Sequence, residues 1–254
     1  MSSGWQVSGR RVLVTASDPD RLCALLRARG ASPVAVPTIA IRPLAGETLD
    51  DALARIAAYD WVIVTSANGV AAAFDRLRAL GLDVPAGPRW AAVGPATRAS
   101  LEAEGVRVDT VPQEGSGAAI PGGMGSLRGG RILLLRARAA GRDLPRLLRA
   151  RGAELDDIPA YETVEGPESS RAPLHAALDA GIDAVVFTSG STVRGLVRLV
   201  ADPVGALTGA RVVAIGPVTA RAVLAAGLGP ARVARDRTPE GVLAALEEVD
   251  LALA

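Results

Sequence analysis

The chain has 254 residues, 49% of them apolar, 22% charged and only 3% aromatic, and its formal net charge is +1. That balance predicts a folded chain with a core of Ala, Val and Leu, long enough for two modest domains. It gives no global field for nucleic acid or acidic lipid. All 28 basic residues are arginine, so Schiff-base chemistry, a pyridoxal anchor and a P-loop lysine are excluded. One histidine, His175, and one cysteine, Cys23, rule out the usual His/Cys zinc sites and an internal disulfide. Cys23 lies in an apolar stripe with Leu22, Leu25 and Leu26 and is read as core, and His175 as a solvated side chain on a helix Leu174–Ala180. Met1–Arg10 lacks the pattern of a signal peptide and no apolar run reaches the roughly 20 residues of a membrane helix, so a cytoplasmic protein is expected.

In chain order, Arg11–Thr15 reads as a strand, and Asp18 as the cap of a helix Pro19–Arg29 that stops at Gly30. Val34–Val36 is a second strand, Leu49–Ala58 a helix, and Trp61–Thr65 a strand apolar on both faces. Such a strand belongs in a parallel sheet covered by helices. Ala67–Leu80, strand Trp90–Val93 and helix Thr97–Glu104 follow. Gln113–Gly130, with seven glycines, a proline and a short apolar Ala118–Ile120, reads as a largely exposed connection and a flexible boundary. Gly115-Ser116-Gly117 resembles a dinucleotide turn only weakly, since it follows no clear strand and lacks a third glycine.

The sequence then repeats itself. Leu25–Gly30 recurs as Leu147–Gly152, Val93–Thr97 as Ile215–Thr219, Gly105 as Gly227 and Pro37 as Pro159, all at an offset of 122. Asp60–Ser66 recurs one residue further on as Asp183–Ser189. The fold class expected is α/β: two similar parallel-sheet α/β/α domains joined by two extended, proline-marked strands within Pro37–Leu44 and Pro159–Val164.

Ligands of open parallel sheets bind beyond the carboxyl ends of the strands, where loops present N–H groups and helix starts. Four duplicated loops are expected there: Thr65–Gly69, Thr188–Thr192, Gly94–Thr97 and Gly216–Thr219. Each Ser or Thr alone is explained by helix capping, but together the loops would line a cleft with hydroxyls and amides suited to carboxylates or phosphates. Arg136, Arg138 and Arg142, after a strand Ile132–Leu135, are candidates for charge-assisted bonds to carboxylates. Tyr161 stands out as one of only two tyrosines, inside an expected joining strand, although packing alone would also account for it.

These motifs, with Leu13-Val14-Thr15, Pro37-Thr38-Ile39, Asp60–Val70, Tyr161-Glu162-Thr163 and Phe187-Thr188-Ser189, resemble the uroporphyrinogen-III synthase family from about Val12 to Leu246. The resemblance implies a discontinuous domain one, residues 1–37 plus 164–254. Domain two would be residues 44–158, with 38–43 and 159–163 as linkers and the active site in the cleft they span. The two copies would thus exchange their opening strand-helix-strand. It implies a lyase of haem, sirohaem and cobalamin biosynthesis with no metal or other cofactor. Its substrate would be hydroxymethylbilane, a linear tetrapyrrole with eight carboxylates, closed to uroporphyrinogen III with ring D inverted through a spiro intermediate.

By motif match, Tyr161 falls on a tyrosine that assists loss of the terminal hydroxyl, and Ser66, Thr97, Ser189 and Thr219 fall on cleft hydroxyls. Asn68, Arg136, Arg142, Gly190, Ser191 and Gly216 complete the expected substrate-binding set. A monomer without nucleic-acid or membrane partners is implied. Two departures stand out: Ala16-Ser17 replaces the family's Arg-Pro, with Arg21 the nearest compensating charge, and Ala137 replaces a glycine. Two other readings remain: a two-lobed cytoplasmic receptor for a small polyanion without chemistry, and a nucleotide-dependent transferase, which the missing phosphate-binding glycines weaken.

Overall fold

The computed structural model describes residues 5–84, 86–112 and 117–248. The first strands are β1 (Arg11–Val14), β2 (Ser32–Ala35) and β3 (Ile39–Pro43), with helix α1 (Asp20–Ala28) between β1 and β2. Helix α2 (Glu47–Ala54), β4 (Trp61–Val64), α3 (Ala67–Ala79), β5 (Arg89–Ala92), α4 (Pro95–Ala103), β6 (Arg131–Ala137) and α5 (Asp143–Ala150) follow. Then come β7 (Glu154–Glu165), α6 (Arg171–Asp179), β8 (Ala184–Phe187), α7 (Gly190–Leu199) and α8 (Pro203–Ala206). Strand β9 (Arg211–Ala214), α9 (Pro217–Ala225), β10 (Arg232–Val233) and α10 (Pro239–Glu247) end the described chain. Among the described residues no helix is long and apolar enough to cross a membrane.

The chain divides into two compact units, Met1–Ala40 with Val164–Ala254, and Ile41–Thr163. The first holds a sheet of order β10-β9-β8-β1-β2, the second a sheet of order β3-β7-β6-β4-β5. Strands β4 and β8 are buried along their whole length, as central parallel strands must be when helices cover both faces. Each Val or Ile so buried contributes about 1.5–3 kcal/mol.

The repeat in the sequence is a repeat in the sheets. At the offset of 122, β1 corresponds to β6 and β5 to β9. Even the outermost pairing is reproduced: Val213 pairs with Arg232 in parallel, and Ala91 makes an isolated parallel bridge to Thr110. The first copy therefore supplies β1 and β2 to a sheet whose other strands come from the second copy, and the second copy supplies β6 and β7 to the other sheet.

Three local expectations are corrected. Asp18 does not cap α1: the N-cap is Pro19, without a side-chain bond, and Asp20 in the first turn supplies the negative charge instead. The helix expected to reach Ala58 ends at Ala54 and continues as a 3₁₀ turn, Ile56–Ala58. In a 3₁₀ turn residues three apart eclipse, which sends Ile56 and Tyr59, each 4% exposed, into one core.

The third correction concerns the glycine-rich stretch. Gly117–Gly123 forms a 3₁₀ run, and Ile120, Met124 and Leu127 are buried with Trp61, Ile132, Leu134 and Leu148. Ile120 lies in the run and Met124 and Leu127 in the irregular backbone after it, apolar positions that the surrounding glycines conceal. Gly123 is required because a Cβ there would lie 2.8 Å from Thr110 Cγ2. The stretch belongs to the second unit and is no boundary. Gly115, Ser116 and Met1–Gly4 lie outside the described residues.

Cys23 is buried, 2% exposed, and burial pushes its thiol above the usual value. His175 is exposed on α6, with Nε2 3.1 Å from the Leu199 carbonyl oxygen.

Candidate active site

In the second unit the site is built from the bottom by β6 and β7. The two run parallel in register as far as Arg136 and Pro159, after which Ala137 pairs with Tyr161 and the register shifts by one. Ala160 is the extra residue. Strict alternation would put Ala160 and Tyr161 on opposite faces, but the bulge turns both into the same core, 0% and 7% exposed. Tyr161 is thereby aimed at the carboxyl end of β4. Its Oη lies 2.9 Å from Ser66 Oγ, in the loop that links β4 to α3.

Ser66 is also the N-cap of α3. Its backbone is extended, φ −160° and ψ 158°, and its Oγ accepts the Gly69 N–H at 3.1 Å. Since that oxygen already accepts, its own proton can go to Tyr161 Oη, which leaves the phenol proton for a ligand. Gly69 makes room: a Cβ there would meet Val64 Cγ1 at 3.2 Å, Ser66 Oγ at 3.3 Å and the Tyr161 ring at 3.7 Å. Asn68, in the first turn of α3, is exposed. Tyr59 differs: its hydroxyl is bonded to Asp156 and Arg55, and burial pushes its pKa above the ordinary tyrosine value.

The first unit repeats the strand-to-helix turn with a tighter network. Ser189 Oγ accepts the Thr192 N–H at 3.2 Å and meets Ser191 Oγ at 2.8 Å, while Thr192 Oγ1 accepts the Ser189 N–H at 3.3 Å. This capping box fixes the start of α7, which Gly190 opens. The position corresponding to Tyr161 at the offset of 122 is Ile39, so the second unit alone carries the phenol.

The other loops start helices in a different way. Gly94 and Gly216 are extended N-caps, each followed by a proline at the first helical position, of α4 and α9. The proline has no N–H to leave unsatisfied there, so the helix starts present only the donors behind it. Thr97 and Thr219 are buried, 5% exposed each, in the first turns.

The arginines divide. Arg136 is committed inside the protein: Nε and Nη2 lie 2.5 and 2.7 Å from the Asp157 carboxylate, and Nη1 lies 2.9 and 2.7 Å from the carbonyl oxygens of Ala140 and Gly141. Its side chain is 13% exposed. Arg142 is exposed at the N-cap of α5, and Arg138 pairs with Glu162 at 3.1 Å. Arg21, the nearest charge to Ala16-Ser17, pairs with Glu240 at 2.7 Å. No group of His, Cys, Asp and Glu that could hold a metal ion occurs among the described residues.

Each unit offers neutral hydroxyls and helix-start amides, hydrogen-bond donors for anionic groups, and in the second unit Ser66 stands at the Tyr161 phenol. Residues 20–244 match the family model described as uroporphyrinogen-III synthase HemD. The chain belongs to the uroporphyrinogen-III synthase family.

A uroporphyrinogen-III synthase of Synechococcus elongatus is 33% identical over 254 residues, covering 94% of this chain and 95% of that protein. A porphyrin biosynthesis protein HemD of Ruminiclostridium josui is 32% identical over 222 residues, covering 84% of this chain and 44% of the longer relative. Two solved uroporphyrinogen III synthases share the fold. A mutant form from the extremely thermophilic bacterium Thermus thermophilus aligns with a TM-score of 0.63 at 23% identity, covering 93% of this chain and 96% of that one. The protein from Helicobacter pylori aligns at 0.59 and 18% identity, covering 92% and 97%.

For this uroporphyrinogen-III synthase family member, one relation was not drawn from the sequence: the pairing of Ser66 with Tyr161. The two are 95 residues apart. The available signal was local, two adjacent apolar residues, Ala160 and Tyr161, where a strand should alternate.

Proposed function

We propose that the chain closes hydroxymethylbilane to uroporphyrinogen III with inversion of ring D, as a hydro-lyase. The family supports an enzyme of porphyrin biosynthesis. The observation that carries the finer reading is the Ser66–Tyr161 hydroxyl pair at the carboxyl ends of β4 and β6, held by the bulge in β7.

In this reading Tyr161 passes its phenol proton to the terminal hydroxyl of the substrate as the C–O bond breaks, so that it leaves as water, and the phenol is restored by the proton that the terminal pyrrole releases on ring closure, while Ser66 orients the phenol. Asn68, Thr97, Arg142, Ser189, Gly190, Ser191, Gly216 and Thr219 and the helix-start amides bind the substrate. The same molecule closes unaided without inversion, so the protein's task is to hold the chain ends in the geometry leading to the spiro species. Preorganised neutral donors suit that task, because they stabilise developing charge from fixed positions. The proposal includes a monomer acting in the cytoplasm without metal or other cofactor.

The test is direct. Freshly prepared hydroxymethylbilane is supplied and the ring isomers are separated; enrichment of the type III isomer over the protein-free control is expected. Equal isomer ratios overturn the proposal, and tight tetrapyrrole binding without turnover would favour a receptor. Tyr161→Phe is expected to slow turnover by about tenfold to a hundredfold without abolishing it, since positioning carries most of the effect. Unchanged kinetics would remove the phenol from the mechanism.

A further inference from the structure

At the strand ends near Tyr161, but on the α5 face of the sheet and not the face where the Tyr161 ring packs, the second unit carries a cavity of about 520 Å³ walled by arginine. Arg138 opens it, and the Arg138 N–H donates to the Tyr161 carbonyl oxygen at 2.8 Å, so the cavity begins one backbone hydrogen bond from the phenol's residue. Arg142, Arg146 and Arg149 form the opposite wall. They stand at i, i+4 and i+7 on α5, one face of the helix, while Leu144 and Leu148 are buried on the other.

Arg138 is paired with Glu162 at 3.1 Å, but the charge on the α5 wall is not balanced from within the cavity. The one carboxylate lining the cavity, Asp157, is taken up by Arg136 through both oxygens. Arg142, Arg146 and Arg149 have no ion pair among the described residues, unlike Arg76 with Asp50 or Arg78 with Glu104. Like charges four residues apart on a helix repel, and a cation at a helix start opposes the dipole. Asp143 in the first turn of α5 offsets the dipole cost in part, while the repulsion between Arg142 and Arg146 has no carboxylate paired to either among the described residues.

The duplicate copy acts as an internal control. At the offset of 122, Arg136, Arg138, Arg142, Arg146 and Asp157 correspond to Val14, Ala16, Asp20, Ala24 and Ala35; only Arg149 keeps its charge, as Arg27. The helix scaffold and its buried leucines are shared, but the basic face is confined to the copy that holds Tyr161.

We infer that the Arg138–Arg142–Arg146–Arg149 cavity is a carboxylate-binding flank of the tetrapyrrole site, taking peripheral carboxylates of the substrate whose reacting end lies at Tyr161. The inference rests on the proposed function for the identity of that substrate. Guanidinium groups bind carboxylates through paired charge-assisted hydrogen bonds, and several on one wall suit a ligand with several carboxylates.

The test uses the full chain and the double variant Arg146→Gln/Arg149→Gln, whose exposed positions tolerate glutamine in a helix. Arg107→Gln, at a side chain 93% exposed elsewhere in the same unit, controls for loss of charge alone. Calorimetric titration with benzenehexacarboxylate should show binding to the wild type that weakens with salt, is unchanged in Arg107→Gln and falls about tenfold or more in the double variant. The KM for hydroxymethylbilane should rise by a similar factor, with a much smaller change in kcat. Unchanged benzenehexacarboxylate affinity and KM in the double variant overturn the inference. So does inorganic phosphate binding as tightly as benzenehexacarboxylate with KM unmoved, which would mark a general anion site. A wild type inactive on hydroxymethylbilane overturns the proposed function instead, and the titration then still decides whether the cavity takes carboxylates.

Discussion

Replacing Arg136 by methionine should destabilise the protein. The guanidinium meets Asp157 through two oxygens, at 2.5 and 2.7 Å, and the two side chains are 13% and 18% exposed. Methionine fills much of the volume but leaves the Asp157 carboxylate without a cationic partner. Breaking a fully buried pair from one side costs about 3–5 kcal/mol, and the residual exposure of this one reduces the expected cost to about 2–4 kcal/mol. The carbonyls of Ala140 and Gly141 also lose a donor, but their loop lies at the surface, where water replaces it.

With a urea dependence of about 1–3 kcal/mol per molar, the unfolding midpoint should fall by roughly 1 M or more. Arg136→Met/Asp157→Leu should recover most of the loss, because the stranded charge is removed with its partner. Urea unfolding of the four proteins of this cycle, with KM for hydroxymethylbilane measured on each, decides the matter. An unchanged midpoint together with a raised KM in Arg136→Met would show that Arg136 is free to bind substrate and that its bonds to Asp157 contribute nothing.

Three further outcomes are expected. Gly195→Ala places a Cβ on the Thr38 carbonyl oxygen, which also accepts the Gly166 N–H at 2.9 Å, while Thr38 Oγ1 donates to the Thr192 carbonyl at 2.7 Å. With both neighbours pinned, it should cost about 2–3 kcal/mol, read as a lower thermal midpoint; an unshifted midpoint would mean the backbone yields freely. Ser66→Ala should cost about 1 kcal/mol for the lost cap and slow turnover, and combining it with Tyr161→Phe should be no worse than the more severe single change. Additive kinetic losses would show that the two hydroxyls act independently.

The third concerns pH. The Arg11 N–H at 2.8 Å and the Arg10 guanidinium at 2.9 Å hold the Asp183 carboxyl below its ordinary value of 3.8. A carboxyl lowered in the folded state adds stability that is present above the ordinary value and is lost as pH falls through the folded one. Asp183→Asn should therefore flatten the loss of stability below about pH 4 in urea midpoints taken from pH 6 to 3. An acid limb identical to wild type would exclude this carboxylate as a source.

Much of the architecture was legible along the chain. The fully apolar runs at Trp61–Val64 and Ala184–Phe187, glycine after α1 and α5, and the offset of 122 point to two parallel sheets, because burial on both faces and helix termination are local, periodic demands on residue type. Family membership was legible too, since the motif loops keep their order and spacing. Where apolar residues were hidden among glycines, at Ile120, Met124 and Leu127, local composition misled, and packing beneath β6 decided their fate.

The chemistry of individual side chains was decided only in three dimensions. Along the sequence Arg136 and Arg142 look like equals, yet Asp157 on the neighbouring strand consumes one and leaves the other exposed. Tyr161 is unusual by its rarity, but only the fold shows that a one-residue bulge turns the ring toward Ser66. Residue type and periodicity specify which face a side chain takes within its own element; which partner it meets depends on the register of a strand or loop tens of residues away, and no local pattern encodes that distance.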